Sequence, residues 1–210
     1  MLRLEANLRN YYGDEEYEKQ LATSVTIARM ISQFAHRDQK RLDSSPYYNH
    51  PYSMAVTFRY LTCMDNPHFD SDKLYSYDIP YDGVIELCLL HDVVEDTEYT
   101  EDEIADIFYD NGLETYYNLY IKEPLHLIAH DKSEPYPVYI EKVCKNPISA
   151  MVKMLDLQNN LEPFSLDVLG DKELKRAQDY YKYIKVINDE YHFIEKLHLF
   201  QESIIKANEE

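Results

Sequence analysis

Glycine is scarce, with 4 in 210 residues, and no stretch alternates apolar and polar side chains over the length of a strand. Together these absences argue against a sheet-based fold and for helices. Basic residues are few: 21 Lys and Arg stand against 39 Asp and Glu, a net charge of −18. That balance excludes a general nucleic-acid binder, which needs a basic face. It also excludes attraction to an anionic membrane. Any polyphosphate ligand would need a metal and local cations to overcome the global repulsion. Cysteine is limited to Cys63, Cys88 and Cys144, far apart and without metal-type spacing, as expected of buried structural thiols in a reducing compartment. No apolar run reaches membrane-spanning length, and Met1-Leu2-Arg3-Leu4-Glu5 lacks the apolar core of a signal peptide. The expectation is a cytoplasmic protein with neither nucleic-acid nor membrane partners.

What is present is a large apolar fraction, 45%, enough for a sizeable core in one large domain or two small ones. Tyrosine is abundant, with 21 copies, which fits helix interfaces with hydroxyls at their rims. From 14 to 36, Leu21, Val25, Ala28, Ile31 and Ala35 recur at helical spacing, and Ile27 and Phe34 widen the same face. Asp43-Ser44-Ser45-Pro46 reads as a turn. A second helix starts around Tyr47–Pro51, with Pro51 in its first turn, and runs to about Met64. Residues 65–79 read as loop, and a central helix spans about 80–94. Thr100 to Glu103 forms a capping box, and Asn111-Gly112 ends the helix it starts. Residues 113–129 read as helix interrupted at Pro124, with further helices at about 138–145 and 148–161. A long last helix begins at Asp171 and breaks near Asn188-Asp189. No repeat or linker is visible. The reading is an all-α fold, one domain over residues 1–210.

The chemistry concentrates in Leu89-Leu90-His91-Asp92-Val93-Val94-Glu95-Asp96-Thr97. An apolar helix delivers a His and three carboxylates to a buried end, where carboxylates are costly unless paired, hydrogen-bonded or metal-bound. Spacings of four place Asp92 with Asp96, and His91 with Glu95, on shared faces. A His-Asp pair alone is commonly a helix-end His beside a solvated Asp. The following Glu95-Asp96, and a second apolar helix bearing Asp156, argue against that. His50, His91, Asp92 and Asp156 make a mixed N/O set suited to Mn²⁺, Fe²⁺ or Zn²⁺, and a hydrolase uses such an ion to make hydroxide available near neutrality.

Three segments then carry a resemblance: His36-x-x-Gln39-x-Arg41 with Pro46-Tyr47-x-x-His50-Pro51, Leu90 through Thr97, and Lys153-x-x-Asp156-x-x-x-Asn160-Leu161. In that order they resemble the HD-type hydrolase domain of RelA/SpoT alarmone enzymes, in size the small stand-alone hydrolases, over roughly residues 18–185. The resemblance implies an HD-domain helical bundle with one Mn²⁺, Fe²⁺ or Zn²⁺ being alternatives, held by His50, His91, Asp92 and Asp156. It gives Glu95 and Asp96 the acid–base work on the attacking water and leaving group. The implied reaction removes the 3′-pyrophosphate of guanosine tetra- or pentaphosphate. Arg41, Asn160, Arg176 and Tyr180 match nucleotide contacts. Read as residues alone, the alternative for Arg41 is a surface arginine, although Arg37, Lys40 and Arg41 form a local basic cluster in a very acidic chain; for Asn160 it is a helix cap, and Arg176-x-x-x-Tyr180 is equally a solvated helical face. Lys153 either anchors locally or faces phosphate. His36 reads as packing near the site, and His68, His126, His130, His192 and His198 as surface or packing residues.

The chain departs from the family at Leu42, where a Lys is common, at Asp43-Ser44-Ser45, and at Ile128-Ala129-His130-Asp131-Lys132, where Lys132 is a candidate substitute cation. The metal chemistry is untouched, but nucleotide choice is left open. An adenosine analogue, or the 2′-phosphate of NADPH, is an alternative substrate, and a non-catalytic nucleotide-binding or antitoxin-like module is an alternative role.

Overall fold

A helix on which every residue is buried lies at the centre. In the computed structural model, which describes residues 3–13, 15, 23–162 and 168–209, this is Val84–Leu90. In chain order the helices are α1 (Arg3–Tyr12), α2 (Ser24–Ala35), α3 (Asn49–Leu61), α4 (Ser71–Ser76), α5 (Val84–Leu90), α6 (Val93–Asp96), α7 (Glu101–Asp110), α8 (Glu114–Tyr120), α9 (Lys122–Ile128), α10 (Tyr136–Val143), α11 (Pro147–Asn159), α12 (Asp171–Tyr191) and α13 (Phe193–Glu209). The fold is all-α; among the described residues the only β pairing is an isolated bridge between Lys40 and Pro46. The central α5 is wedged between α2 and α3, and α11 packs on both α3 and α5. Gly83 makes the entry to α5 possible. Its φ is +79°, and a Cβ there would lie 2.5 Å from the Tyr120 carbonyl oxygen, so only glycine fits.

Several boundaries differ from the sequence reading, each for a local reason. The helix expected over 14–36 begins at Ser24, because Thr23 is extended and caps it through Thr26; Asp14 and residues 16–22 lie outside the described set. Within 65–79 the side chain of Asp70 accepts from the Asp72 amide and starts the short α4. The central element is two helices. α5 stops at Leu90, His91 and Asp92 form a turn, and α6 follows, ended by an extended Thr97 whose hydroxyl donates to the Val93 carbonyl at 2.6 Å. The capping box of Thr100 and Glu103 is present. The break near Pro124 falls earlier, at Ile121. Proline then sits in the first turn of α9, where its missing N–H has no helical partner to lose. The last break is at His192, in the left-handed region at φ 56°, not at Asn188. Asn188 instead accepts from the Ile194 amide at 2.9 Å and bonds Glu195, tying the two helices across the corner.

The three cysteines are free thiols, and no helix among the described residues is long and apolar enough to cross a membrane. One core carboxylate lies outside the site. Glu86 accepts from Ser24 and from the Tyr116 hydroxyl, yet burial raises its pKa above the ordinary value. A carboxyl that holds its proton more tightly when folded stabilises the fold at low pH, and that contribution is lost as pH rises through the folded-state pKa. Glu86→Gln is therefore expected to melt higher than the parent protein at pH 8, with the gap shrinking toward pH 5. Thermal melts across that range check this; a gap independent of pH would contradict it.

Candidate active site

Three helix ends meet at one point because α3 and α11 both lie against α5. The first turn of α3 supplies His50, the turn after α5 supplies His91 and Asp92, and the last turns of α11 supply Asp156. His50, His91 and Asp156 are buried, and one ligand atom from each lies within 4.8 Å of the others. Asp92 joins them: its Oδ2 is 3.0 Å from His91 Nε2 and 3.8 Å from His50 Nε2. Asp156 Oδ1 is 3.1 Å from His50 Nε2 and 3.9 Å from His91 Nε2.

The outer partners fix which ring nitrogen faces the centre. His91 Nδ1 lies 2.8 Å from the Cys88 carbonyl oxygen, an acceptor only, so Nδ1 carries the proton. His50 Nδ1 lies 2.6 Å from Asn159 Oδ1. The Asn159 amide orientation is itself pinned: Nδ2 donates to Ser53 Oγ at 2.8 Å, and that hydroxyl donates to the His50 carbonyl at 2.9 Å. Both Nε2 atoms therefore face the carboxylates. His91 Nε2 is buried, and its approach to Asp92 Oδ2 at 3.0 Å falls outside good hydrogen-bond geometry. Burial works against protonating His91, but Asp92 and Asp156 outweigh it and hold its pKa at about 9. Asp92 and Asp156 are pulled below the ordinary carboxylate range despite burial, Asp92 by the two histidines and Asp156 by Lys153 and the histidines. A field that strong toward positive charge, with two imidazole nitrogens aimed into it, fits a divalent cation.

Each carboxylate is also anchored from outside. Asp156 accepts from Lys153 Nζ at 2.7 Å and from Asn160 Nδ2 at 2.6 Å. Asp92 Oδ2 accepts from the Tyr47 hydroxyl at 2.6 Å. Tyr47 packs against His36, ring centroids 4.8 Å apart. His36 Nδ1 meets Gln39 Oε1 at 2.7 Å, and Gln39 Nε2 donates to the Asp96 carbonyl at 2.8 Å.

The centre opens into a cavity of about 430 Å³. Of the residues expected at the site, Arg41, His50, Asp92, Glu95, Asp156, Asn160, Arg176 and Tyr180 line it. Glu95 is half-buried, and burial, then Asp92, raises its pKa, against one hydrogen bond from the His130 amide at 3.3 Å. Asp96 does not line the cavity: its carboxylate faces Lys132 at 3.4 Å and lies 3.5 Å from the Tyr47 hydroxyl. Arg41 donates to Asn160 Oδ1 at 3.3 Å. Lys132 thus pairs with an acid instead of replacing the missing cation, and exposed Leu42 lines the cavity mouth. His130, read as surface or packing, also lines the cavity and packs against Tyr139, ring centroids 4.3 Å apart and planes tilted by 38°.

Tyr47, Asn159, His130 and Tyr136 had no role assigned from sequence. Tyr47 lies three residues before His50, and Asn159 three after Asp156, so helical spacing was the available signal for both. His130 and Tyr136 reach the cavity through loop and α10 placement, which no local spacing encodes.

No family model matches the chain. It is 25% identical over 161 residues to guanosine-3′,5′-bis(diphosphate) 3′-pyrophosphohydrolase MESH1 of Drosophila melanogaster, covering 74% of this chain and 78% of that protein. A solved structure described as a metazoan ortholog of SpoT that hydrolyzes ppGpp and plays a role in starvation responses superposes with a TM-score of 0.60. That match, at 21% identity, covers 89% of this chain and 96% of the other, and it shows a shared fold.

Proposed function

We propose that this chain, similar in sequence to the fly pyrophosphohydrolase and in fold to the metazoan SpoT ortholog, is a small stand-alone HD-type alarmone hydrolase. Its reaction is removal of the 3′-pyrophosphate from guanosine 3′,5′-bis(diphosphate) or the corresponding pentaphosphate. The observation that carries this reading is the convergence of two imidazole Nε2 atoms with Asp92 and Asp156 at the inner end of a nucleotide-sized cavity. His50, His91, Asp92 and Asp156 would hold the cation. We propose Mn²⁺, with Fe²⁺ or Zn²⁺ as the other ions such a donor set accepts. When bound, the cation supplies positive charge that lowers the pKa of water and draws charge from the phosphoryl oxygens.

The remaining steps belong to the chain's own side chains. Glu95, facing the cavity, takes a proton from the attacking water. The water oxygen bonds to the phosphorus next to the ribose, the bond from that phosphorus to the 3′-oxygen breaks, and Glu95 passes the proton on to the 3′-oxygen, while Asp96, outside the cavity wall and paired with Lys132, adds negative charge behind Glu95. Pyrophosphate and GDP or GTP result. Arg41, Asn160, Arg176 and Tyr180 position the nucleotide. Lys153 is committed to Asp156 by its buried ion pair, so it neutralises a cation ligand and leaves phosphate binding to the other cations. The free thiols suit a reducing compartment, and we place the protein in the cytoplasm as a single HD unit.

The test is a nucleotide panel with added Mn²⁺, scored separately for pyrophosphate and orthophosphate. Pyrophosphate from guanosine tetraphosphate, abolished by chelator and restored by Mn²⁺ more fully than by Zn²⁺ or Fe²⁺, is expected. Leu42 at the cavity mouth favours one second reading, a relaxed base or phosphate preference. Faster turnover of a 3′-pyrophosphorylated adenosine nucleotide, or orthophosphate from NADPH, would establish it. Tight nucleotide binding without turnover under every metal would make the chain a binding module.

Tyr47 sets a further expectation. Its hydroxyl is the outer partner of Asp92 Oδ2, and burial next to Asp92 keeps it protonated far above its usual range. Such outer contacts typically contribute about 10–100-fold to metal affinity. Tyr47→Phe is expected to weaken Mn²⁺ binding by roughly that factor with the melting profile of the cation-free protein little changed. Calorimetric Mn²⁺ titration reads this directly, and unchanged affinity would remove Tyr47 from the centre.

A further inference from the structure

In a chain of net charge −18, Lys172, Lys175 and Arg176 gather on one face of α12 at spacings of three and four. None of the three forms an ion pair among the described residues. Together with Tyr136, Tyr180 and Tyr183 they line a recess of about 320 Å³, in which Asp179 supplies one carboxylate. Asp171 and Glu173, the other acids of that first stretch, do not line it, and Glu173 is engaged with the Gly170 amide at 3.2 Å. Three cations against one carboxylate leave the recess net positive. It adjoins the catalytic cavity: Tyr136, Arg176 and Tyr180 line both. Inside the catalytic cavity Lys153 is already paired with Asp156 at 2.7 Å and Lys40 and Arg41 are the other cations of the lining besides Arg176; Lys172 and Lys175 belong to the recess alone.

We propose that this recess binds the outermost phosphate of a 5′-triphosphate chain, with Lys172 and Lys175 as its ligands, so that the protein discriminates nucleotides by the length of the 5′ chain. The proposal rests on the nucleotide-hydrolase reading above, in which the reacting diphosphate lies toward His50 and Asp156 and a second polyphosphate extends from the other side of the ribose. Lysine ammonium groups on flexible stems suit a terminal phosphate that carries the most charge and the fewest fixed directions. Arg176, shared by both spaces, sits where an inner phosphate of that chain passes.

The test uses the full-length protein and the double variant Lys172→Ala/Lys175→Ala. Both side chains are exposed, so the melting temperature is expected to stay unchanged. Two readouts run in parallel: calorimetric binding of GTP and of GDP, and pyrophosphate release from guanosine penta- and tetraphosphate. The parent protein is expected to favour the triphosphate end, and the variant to lose about three- to tenfold on GTP and pentaphosphate, the size of two exposed ion pairs, with under about twofold on GDP and tetraphosphate. The preference should also fade at high salt. Equal losses for both chain lengths, or none, would overturn the proposal even if tetraphosphate is hydrolysed. Lysine-dependent preference for GTP without any turnover would uphold the recess while sinking the hydrolase reading.

Discussion

Asp156→Ala is expected to lower pyrophosphate release by roughly a thousandfold or more, since several kcal/mol of charge stabilisation depend on the cation, and to destabilise the fold at the same time. Both effects trace to one side chain. Asp156 faces the two Nε2 atoms through Oδ1 and Lys153 through Oδ2 at 2.7 Å, with side chains only 8% and 12% exposed. Removing the carboxylate leaves the Lys153 ammonium buried beside Tyr136 and Tyr139 with no counter-ion. Breaking a buried pair from one side costs about 3–5 kcal/mol. The two effects separate in the double variant Lys153→Met/Asp156→Ala. It removes the orphaned charge, so denaturant unfolding should recover most of the lost stability while Mn²⁺-dependent release stays absent. Retention of more than a tenth of the parent rate by Asp156→Ala in excess Mn²⁺ would mean that the centre lies elsewhere.

The second large effect is expected at Glu95. Glu95→Gln keeps the shape of the side chain and can still accept from the His130 amide, but it cannot take a proton. Loss of a positioned general base costs about 10²–10⁴-fold in rate, with Mn²⁺ affinity and melting temperature near those of the parent. The pH profile gives the sharper readout. A base works when ionised, so kcat/KM should rise with pH through the Glu95 pKa. In the cation-free protein burial, then Asp92 and Asp96, raise the Glu95 pKa above the ordinary glutamate value, and a cation on Asp92 works against that contribution. The acidic limb should vanish in Glu95→Gln. A variant with the full limb and a low rate would assign the proton to another group, and Asp96, held against Lys132 at the outer edge, is the next to substitute.

The sequence by itself determined the helical class and singled out four polar side chains that the fold brings together. Gly scarcity and periodic apolar faces on α2, α5 and α11 left no sheet alternative. Local rules were read correctly where they close within a few residues, as at the capping box of Thr100 and Glu103. The motifs carried His50, His91, Asp92 and Asp156 because an acid or imidazole on an apolar helical face stands out against its neighbours. Tertiary structure decided what local rules could not reach. The break at His91–Asp92 is invisible to periodicity, since α5 and α6 continue one apolar pattern across a turn. Asn188 looked like a stop signal because asparagine favours such places, yet its side chain bridges a corner that turns at His192. The tautomers of His50 and His91 depend on Asn159 and the Cys88 carbonyl, and Lys153 was ambiguous until its ammonium met Asp156. Tyr47 and His130 reach the site through contacts spanning up to 45 residues of chain. Chain spacing encodes which side chains share a helix face. Which faces meet, and therefore which lone pairs converge, is fixed only when the helices pack.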